Sequence, residues 1–135
     1  MKNIVILIMN TLTGYSNLTT LVPSTNMYTG SVDITVEKQS TLPYPQIVLQ
    51  TISESIRTVP KNTRDSSYQI DIFSRNSQLE IENIYEEIIN ALNYQSGDES
   101  TSHLFWDRLG GTVDMYESDR RIWHRSITFM AWEQS

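Results

Sequence analysis

Cysteine is absent from this 135-residue chain. Its absence excludes disulfides, thiolate metal sites and cysteine nucleophiles together, and it is compatible with a reducing compartment. Catalytic motifs are missing from the sequence as well, including a phosphate-binding glycine loop, a helix with paired metal-binding histidines and a nucleophile elbow. The sequence therefore predicts a protein that has no cofactor, no metal ion and no enzymatic activity.

An excess of basic residues is also missing, because 10 lysines and arginines stand against 16 acidic residues and give a net charge of −6. A domain that binds nucleic acid by neutralising phosphates normally carries an excess of basic residues. The charge balance therefore disfavours direct DNA binding. It permits a surface that DNA slides past without sticking.

Long apolar runs are lacking. The amino-terminal run Ile4–Met9 has only six residues, far short of the roughly 20 residues that cross a bilayer. Polar Asn10 and Thr11 follow it where a signal peptide needs small residues. We therefore expect no membrane association and no secretion, and the chain length suits a single domain over residues 1–135.

Two segments carry a helical pattern. Apolar residues at helical spacing predict a helix over residues 2–13 that ends at Gly14, although the β-branched run Ile4–Ile8 also suits a buried strand. Ser77 and Glu80 form the two ends of a capping box, which predicts a helix over residues 77–93. The apolar stripe of this second helix consists of Ile81, Ile84, Tyr85, Ile88 and Leu92.

Alternating apolar and polar residues predict the strands. Gly110-Gly111 indicates a bulge or bend, and residues 60–66 read as a turn-rich break. The predicted strands are a short piece at Met27-Tyr28, a long or bent strand over 46–59, a half-buried strand over 68–72, and two final strands over 112–116 and 121–132 joined by a turn at 117–120. The pattern predicts an α+β fold, in which an antiparallel or mixed sheet carries one long helix and an amino-terminal helix on one face, with a flexible or extended arm at about residues 29–41.

Candidate contact residues fall into two groups. Arginine and tryptophan are favoured anchors at protein interfaces, and a hairpin arm with alternating valine and isoleucine offers an apolar contact. The predicted contacts to other copies or partners are Val32, Ile34, Val36, Arg120, Arg121, Trp123 and Arg125. Acidic residues surround the apolar stripe of the second helix, where they form a solvated face or a partner surface: Glu80, Glu82, Glu86 and Glu87.

Other chemical side chains are sparse. His103 lies beside a polar loop, whereas the alternation around His124 is typical of an ordinary edge or interface residue. The acids Asp114, Glu117 and Asp119 do not match the spacing of a calcium-binding loop, so a solvated turn is the better interpretation.

The predicted elements follow one another in a distinctive order. They are the amino-terminal helix, Leu18–Val22, Met27-Tyr28, the proline-flanked strand Leu42–Leu49, the strand ending in Tyr68–Arg75, the helix of residues 77–93 and the closing strand Ile122–Phe129. This ordered series, which covers nearly the whole chain, resembles the small tail-terminator, tail-completion and minor tail proteins of long-tailed bacteriophages.

The resemblance implies a structural virion protein that is assembled in the host cytoplasm. Such proteins form rings, typically hexamers, that cap the tail tube and offer a docking surface to the head or neck connector. DNA passes through the ring without specific binding. The acids of the second helix would then line the lumen or contact a partner, and the acidic excess would repel the phosphates.

Two alternatives remain open from the sequence. The chain could be an adaptor module that binds one protein partner through an exposed sheet edge. A small enzyme with a cleft around His103, Asp107 and Arg108 is the third and weakest interpretation.

Overall fold

The computed structural model describes residues 4–29, 43–57, 63–93, 103–119 and 121–134. Within these ranges the chain forms three α-helices, one 3-10 turn and five strands. In chain order they are α1 (Ile4–Thr13), α2 (Ser16–Thr19), the 3-10 turn Ser24–Asn26, β1 (Met27–Thr29), β2 (Gln46–Arg57), β3 (Thr63–Ser74), α3 (Gln78–Asn93), β4 (His103–Glu117) and β5 (Ile122–Gln134).

The five strands form one mixed sheet in the order β1-β2-β3-β5-β4. Strand β1 runs parallel to β2, and the other neighbouring pairs are antiparallel. The α+β class with a mixed sheet is thus as predicted. The last strand of the chain lies between β3 and β4, so β5 is an inner strand and β4 forms one edge of the sheet.

Two of the strands are longer than the alternation predicted. Strand β3 begins at Thr63 rather than after residue 66, and β4 begins at His103 rather than at Thr112. The polar residues in these extensions join the sheet because each has a backbone partner on the neighbouring strand, which composition does not reveal. The register shift between Arg108 and Thr112 confirms the irregularity predicted at Gly110-Gly111.

The main core lies between the three helices and one face of the sheet. The stripe predicted for α3 is confirmed, with Tyr85 half-buried and the other four side chains buried. Two residues of α1, Ile8 and Leu12, join them in the core, so the helical interpretation of the amino terminus is correct. On the sheet, this core contains Met27, Ile47, Leu49, Tyr68, Ile70, Ile72, Ile127 and Phe129.

The start of α3 follows half of the predicted capping box. The backbone N–H of Glu80 donates to Ser77 Oγ at 3.1 Å, as expected for an N-cap serine. The backbone N–H of Ser77 donates instead to Ser74 Oγ at 3.4 Å. The Glu80 carboxylate accepts from Ser74 Oγ at 2.5 Å and from Asn76 Nδ2 at 3.2 Å. Glu80 therefore ties the helix to the end of β3.

A smaller cluster covers part of the opposite face of the sheet, which we call the open face. Val48, Phe73 and Ile122 are buried there, and the half-buried rings of Tyr28 and Tyr44 pack against them. The guanidinium of the neighbouring Arg75 lies 4.5 Å from the centre of the Tyr44 ring. The sheet therefore carries apolar side chains on both faces.

Some predictions lie outside the described residues. These are the hairpin contacts at Val32, Ile34 and Val36, the interface prediction for Arg120, and most of the proposed arm. Thr29 belongs to β1 rather than to the arm.

Candidate functional site

A buried arginine on β5 joins three elements on the helix-covered face. Arg125 lies opposite Asp114 of β4 in the sheet register. Its Nε donates to Asp114 Oδ1 at 2.6 Å, and its Nη2 donates to Asp114 Oδ2 at 3.1 Å. The same Nη2 donates to Glu82 Oε1 of α3 at 2.5 Å, and the Tyr85 ring centre lies 5.0 Å from the guanidinium carbon. We call this group the arginine clamp, consisting of Arg125, Asp114 and Glu82.

The charges of the clamp stabilise one another. Hydrogen bonds from Arg125 hold the pKa of Glu82 and that of Asp114 below the ordinary ranges of these carboxyls. The bonds to Asp114 and Glu82 raise the pKa of Arg125 in turn. All three groups are therefore charged at neutral pH, and the clamp connects α3 and β4 through β5.

The clamp bears on three sequence-based interpretations. Arg125 was predicted to contact a neighbouring copy, but it is buried and pairs within its own chain. Asp114 is a strand residue bound to this arginine, not an acid of a solvated turn. Glu82 also belongs to this group, but its side chain is 46% exposed, so its role as a lumen or partner acid stays a prediction. Sequence reasoning missed the clamp because its members come from three separate segments.

The remaining acids of α3 also differ from one another. Glu80 is bound at the helix start, and Glu86 is exposed. Glu87 is half-buried, and its Oε2 has no hydrogen-bond partner in the part of the chain that the structure describes. Glu86 and Glu87 share a shallow cleft between α2 and α3 with Leu21 and Asn83. The four predicted acids therefore do not form one continuous solvated face.

A polar network occupies the middle of the open face around the carboxylate of Asp71. This side chain is buried and accepts a hydrogen bond from Ser126 Oγ at 2.5 Å. Gln69 Nε2 donates to both of its oxygens at 3.0 Å, and Gln50 Nε2 donates at 3.1 Å. His124 Nε2 lies 2.9 Å from Asp71 Oδ1. Strands β2, β3 and β5 thus converge on one anion.

The environment of Asp71 favours its charged form. Burial acts against ionisation and is the largest single influence on its pKa. Hydrogen bonds from His124, Ser126 and Gln69 together outweigh burial and lower the pKa of this carboxyl. The sequence showed only that Asp71 alternates with apolar residues. Its burial depends on donors that neighbouring strands bring to the same face.

The residue types Ser126, His124 and Asp71 are those of a hydrolytic triad, but their arrangement differs from one. In a triad the imidazole lies between the acid and the serine and uses a different nitrogen for each. Here His124 Nε2 is close to both the carboxylate and Ser126 Oγ, and the serine itself bonds to Asp71. The His124 ring stacks on Phe73 at 4.2 Å. The geometry is that of a structural network that holds the strands together.

His124 thus lies on an inner strand, which corrects the expectation of an edge residue. Strand β4 includes His103, Asp107 and Arg108. The structure describes the backbone of these residues but not their side chains. No group of three or more His, Cys, Asp or Glu side chains among the described residues is arranged to hold a metal ion. The helices in the described ranges include none with the length and apolarity required to cross a membrane.

The carboxy-terminal part of β4 exposes large apolar side chains. Val113 is 58% exposed, Met115 47% and Tyr116 50%. The ring of Tyr116 also contacts that of Trp123, at 4.7 Å between centres. Nearby, Arg121 is exposed in the β4–β5 turn with φ 55°. Of the predicted contact residues, Arg121 and the half-buried Trp123 therefore lie close to an exposed apolar edge.

Comparison with known proteins gives a fold match. A scan against protein-family models and a search of curated proteins find no match for the sequence. Among solved structures, a chain in the virion of a native gene transfer agent particle is similar, with a TM-score of 0.62 and 11% sequence identity. The alignment covers 95% of this chain and 92% of the other. At this identity the likeness shows that the two chains share a fold over nearly their whole length.

Proposed function

We propose that this chain is a structural protein of a phage-like virion and works as a tail terminator or tail-completion ring without enzymatic activity. The observation that carries the proposal is the fold match to a chain of a gene transfer agent virion over 95% of this sequence. The resemblance of the ordered elements to phage tail-terminator proteins supports the same role. The partners would be further copies of the chain in a ring, most simply a hexamer, together with the tail tube protein and the head or neck connector.

The described surfaces suggest how such a ring works. Head-to-tail contacts in a closed ring require two different patches on each copy. One candidate patch is the β4–β5 turn with Arg121, together with Trp123 at the start of β5. The other sequence-based candidates belong to the predicted hairpin arm: Val32, Ile34 and Val36. Among the predicted lumen acids, Glu86 suits a lumen best because it is exposed, whereas Glu80 and Glu82 are bound within the chain. A negative lumen would let DNA pass without sticking.

The decisive experiment removes the chain from a particle-producing strain. We expect tails of uncontrolled length that fail to join heads, as seen by negative-stain electron microscopy. A plasmid copy of the wild-type gene should restore uniform, joined tails. Complementation by Arg121→Glu should be weaker, while Asp119→Ala in the same exposed turn serves as the matched control and should complement fully.

Two results would contradict the proposal. Uniform tails joined to heads in the absence of the chain would exclude a terminator or completion role. A tagged copy that complements the deletion but is missing from purified particles would favour the adaptor alternative.

A further inference from the structure

Edge strands present unpaired backbone groups, and proteins usually protect them with short length, charge, proline or bulges. In this sheet the two edges differ greatly, because β1 has three residues and β4 has 15. The bulge of β4 lies between Arg108 and Thr112, so the segment Thr112–Glu117 beyond it keeps a regular register with β5. This segment carries Val113, Met115 and Tyr116 with about half of each side chain exposed.

We propose that the segment Thr112–Glu117 of β4 is a dimerisation edge, which pairs antiparallel with the same segment of a second copy of this chain. The two sheets then become one continuous sheet across a two-fold axis. This contact belongs to the free chain and does not depend on the virion role. In a ring the edge would have to be released.

The side-chain pattern selects the second copy and the register. In a continuous sheet, residues that lie opposite each other point to the same face. The two-fold axis must therefore lie between one residue and the same residue of the second copy, and we name each axis by that residue. An axis at Val113 would place Met115 opposite Gly111, and an axis at Met115 would place Val113 opposite Glu117. An axis at Asp114 places Val113 of each copy opposite Met115 of the other, which gives two equivalent apolar pairs. The segment therefore complements itself in this register.

The apolar pair lies on the open face. In the sheet register Val113 is opposite Ser126, and Met115 is opposite His124. On the helix-covered face the same axis brings Thr112 opposite the second copy's Tyr116. Cross-strand pairs of this kind are the unit that stabilises sheet pairing. Both faces of the joined edges thus gain matched contacts.

Charge opposes this contact at its centre only in part. The net charge of −6 disfavours association of two copies in general. Asp114, which lies on the proposed axis, is already bound by two hydrogen bonds from its own Arg125. Each clamp holds one positive and two negative groups, so the two aspartates would meet partly neutralised rather than as bare carboxylates.

The first test is the molar mass of the purified chain over a concentration series, measured by sedimentation equilibrium. We expect a monomer–dimer equilibrium that reaches twice the 15.6 kDa mass of one chain. Val113→Lys should weaken the dimer by about tenfold or more, because the symmetry places the substitution in both apolar pairs. Ile6→Lys is the matched control, since Ile6 is similarly exposed on α1 and its replacement should leave the dimer unchanged. A strict monomer at every concentration, or equal weakening by both variants, would overturn the proposal.

A second test fixes the register. Because the chain has no cysteine, Val113→Cys and Met115→Cys introduce single thiols. Mild oxidation of a mixture of the two variants should give a covalent dimer in far higher yield than either variant alone. Equal yields from Val113→Cys alone would refute the assigned axis. This measurement remains decisive even if the Val113→Lys chain unfolds.

Discussion

Replacing Arg125 by methionine tests the arginine clamp. The change keeps the long apolar part of the side chain and removes the cation that joins Glu82 of α3 to Asp114 of β4. Three charge-assisted hydrogen bonds are lost with it. The abandoned carboxylates remain charged at neutral pH, so the variant should be less stable than the wild-type chain.

The expected loss follows from the exposure of the partners. Removing one partner of a fully buried ion pair costs about 3–5 kcal/mol. Here the side chains of Glu82 and Asp114 are 46% and 43% exposed, so water replaces part of what the arginine supplied. We therefore expect the free energy of unfolding to fall by about 2–3 kcal/mol. For a chain of this length that corresponds to a fall in Tm of roughly 7–11 °C.

Urea denaturation at pH 7 followed by circular dichroism measures this loss, and calorimetry gives the Tm. Arg121→Met is the control, because Arg121 is exposed in a turn and its replacement should change stability by less than about 0.5 kcal/mol. Equal stabilities of the Arg125→Met and Arg121→Met chains would refute the clamp. The effect should also depend on pH. Since the pKa values of Glu82 and Asp114 are lowered in the folded chain, their contribution is present above roughly pH 4 and is lost as the pH falls through the folded values.

Three further predictions concern the core, the start of α3 and the open face. Ile84→Ala should lower the free energy of unfolding by about 2–5 kcal/mol because it empties a fully buried site, whereas Leu79→Ala on the exposed side of the same helix should change it by less than about 0.5 kcal/mol; urea denaturation compares them. Ser77→Ala should cost about 1 kcal/mol through loss of the N-cap bond, and Ser77→Asp should recover most of it in the same assay. Asp71→Asn should cost about 1–3 kcal/mol at pH 7, because the amide presents donors to a site already filled with donors. Since the pKa of Asp71 is lowered in the folded chain, this difference should be present above roughly pH 4 and shrink as the pH falls below it; a difference that is constant from pH 7 to pH 2.5 would contradict the network.

Local patterns were sufficient for much of the fold. The isoleucine spacing and the N-cap serine predicted α3, because helix periodicity and capping depend on residues within a few positions of one another. Alternation predicted most of β2 and β5 and parts of β3 and β4 for the same reason, and Gly110-Gly111 marked the irregular place in β4. The mixed α+β class follows from the order of these elements.

Strand ends were harder to predict. The extensions of β3 to Thr63 and of β4 to His103 carry no clear apolar alternation. They are strands because backbone groups of β2 and β5 lie beside them. Sequence separation hides that partnership, since the pairing is decided between segments that are far apart along the chain.

The amino-acid sequence by itself determined where the helices form, which of their faces are apolar, and that cysteine chemistry is excluded. Only the tertiary structure decided that β5 lies between β3 and β4 and that Arg125 pairs with Asp114 and Glu82. It also decided that Asp71 is a buried anion rather than a solvated one. The physical reason is range. Helix periodicity acts over four residues, whereas these polar contacts bring together groups that are 11 to 55 positions apart and exist only in one sheet register.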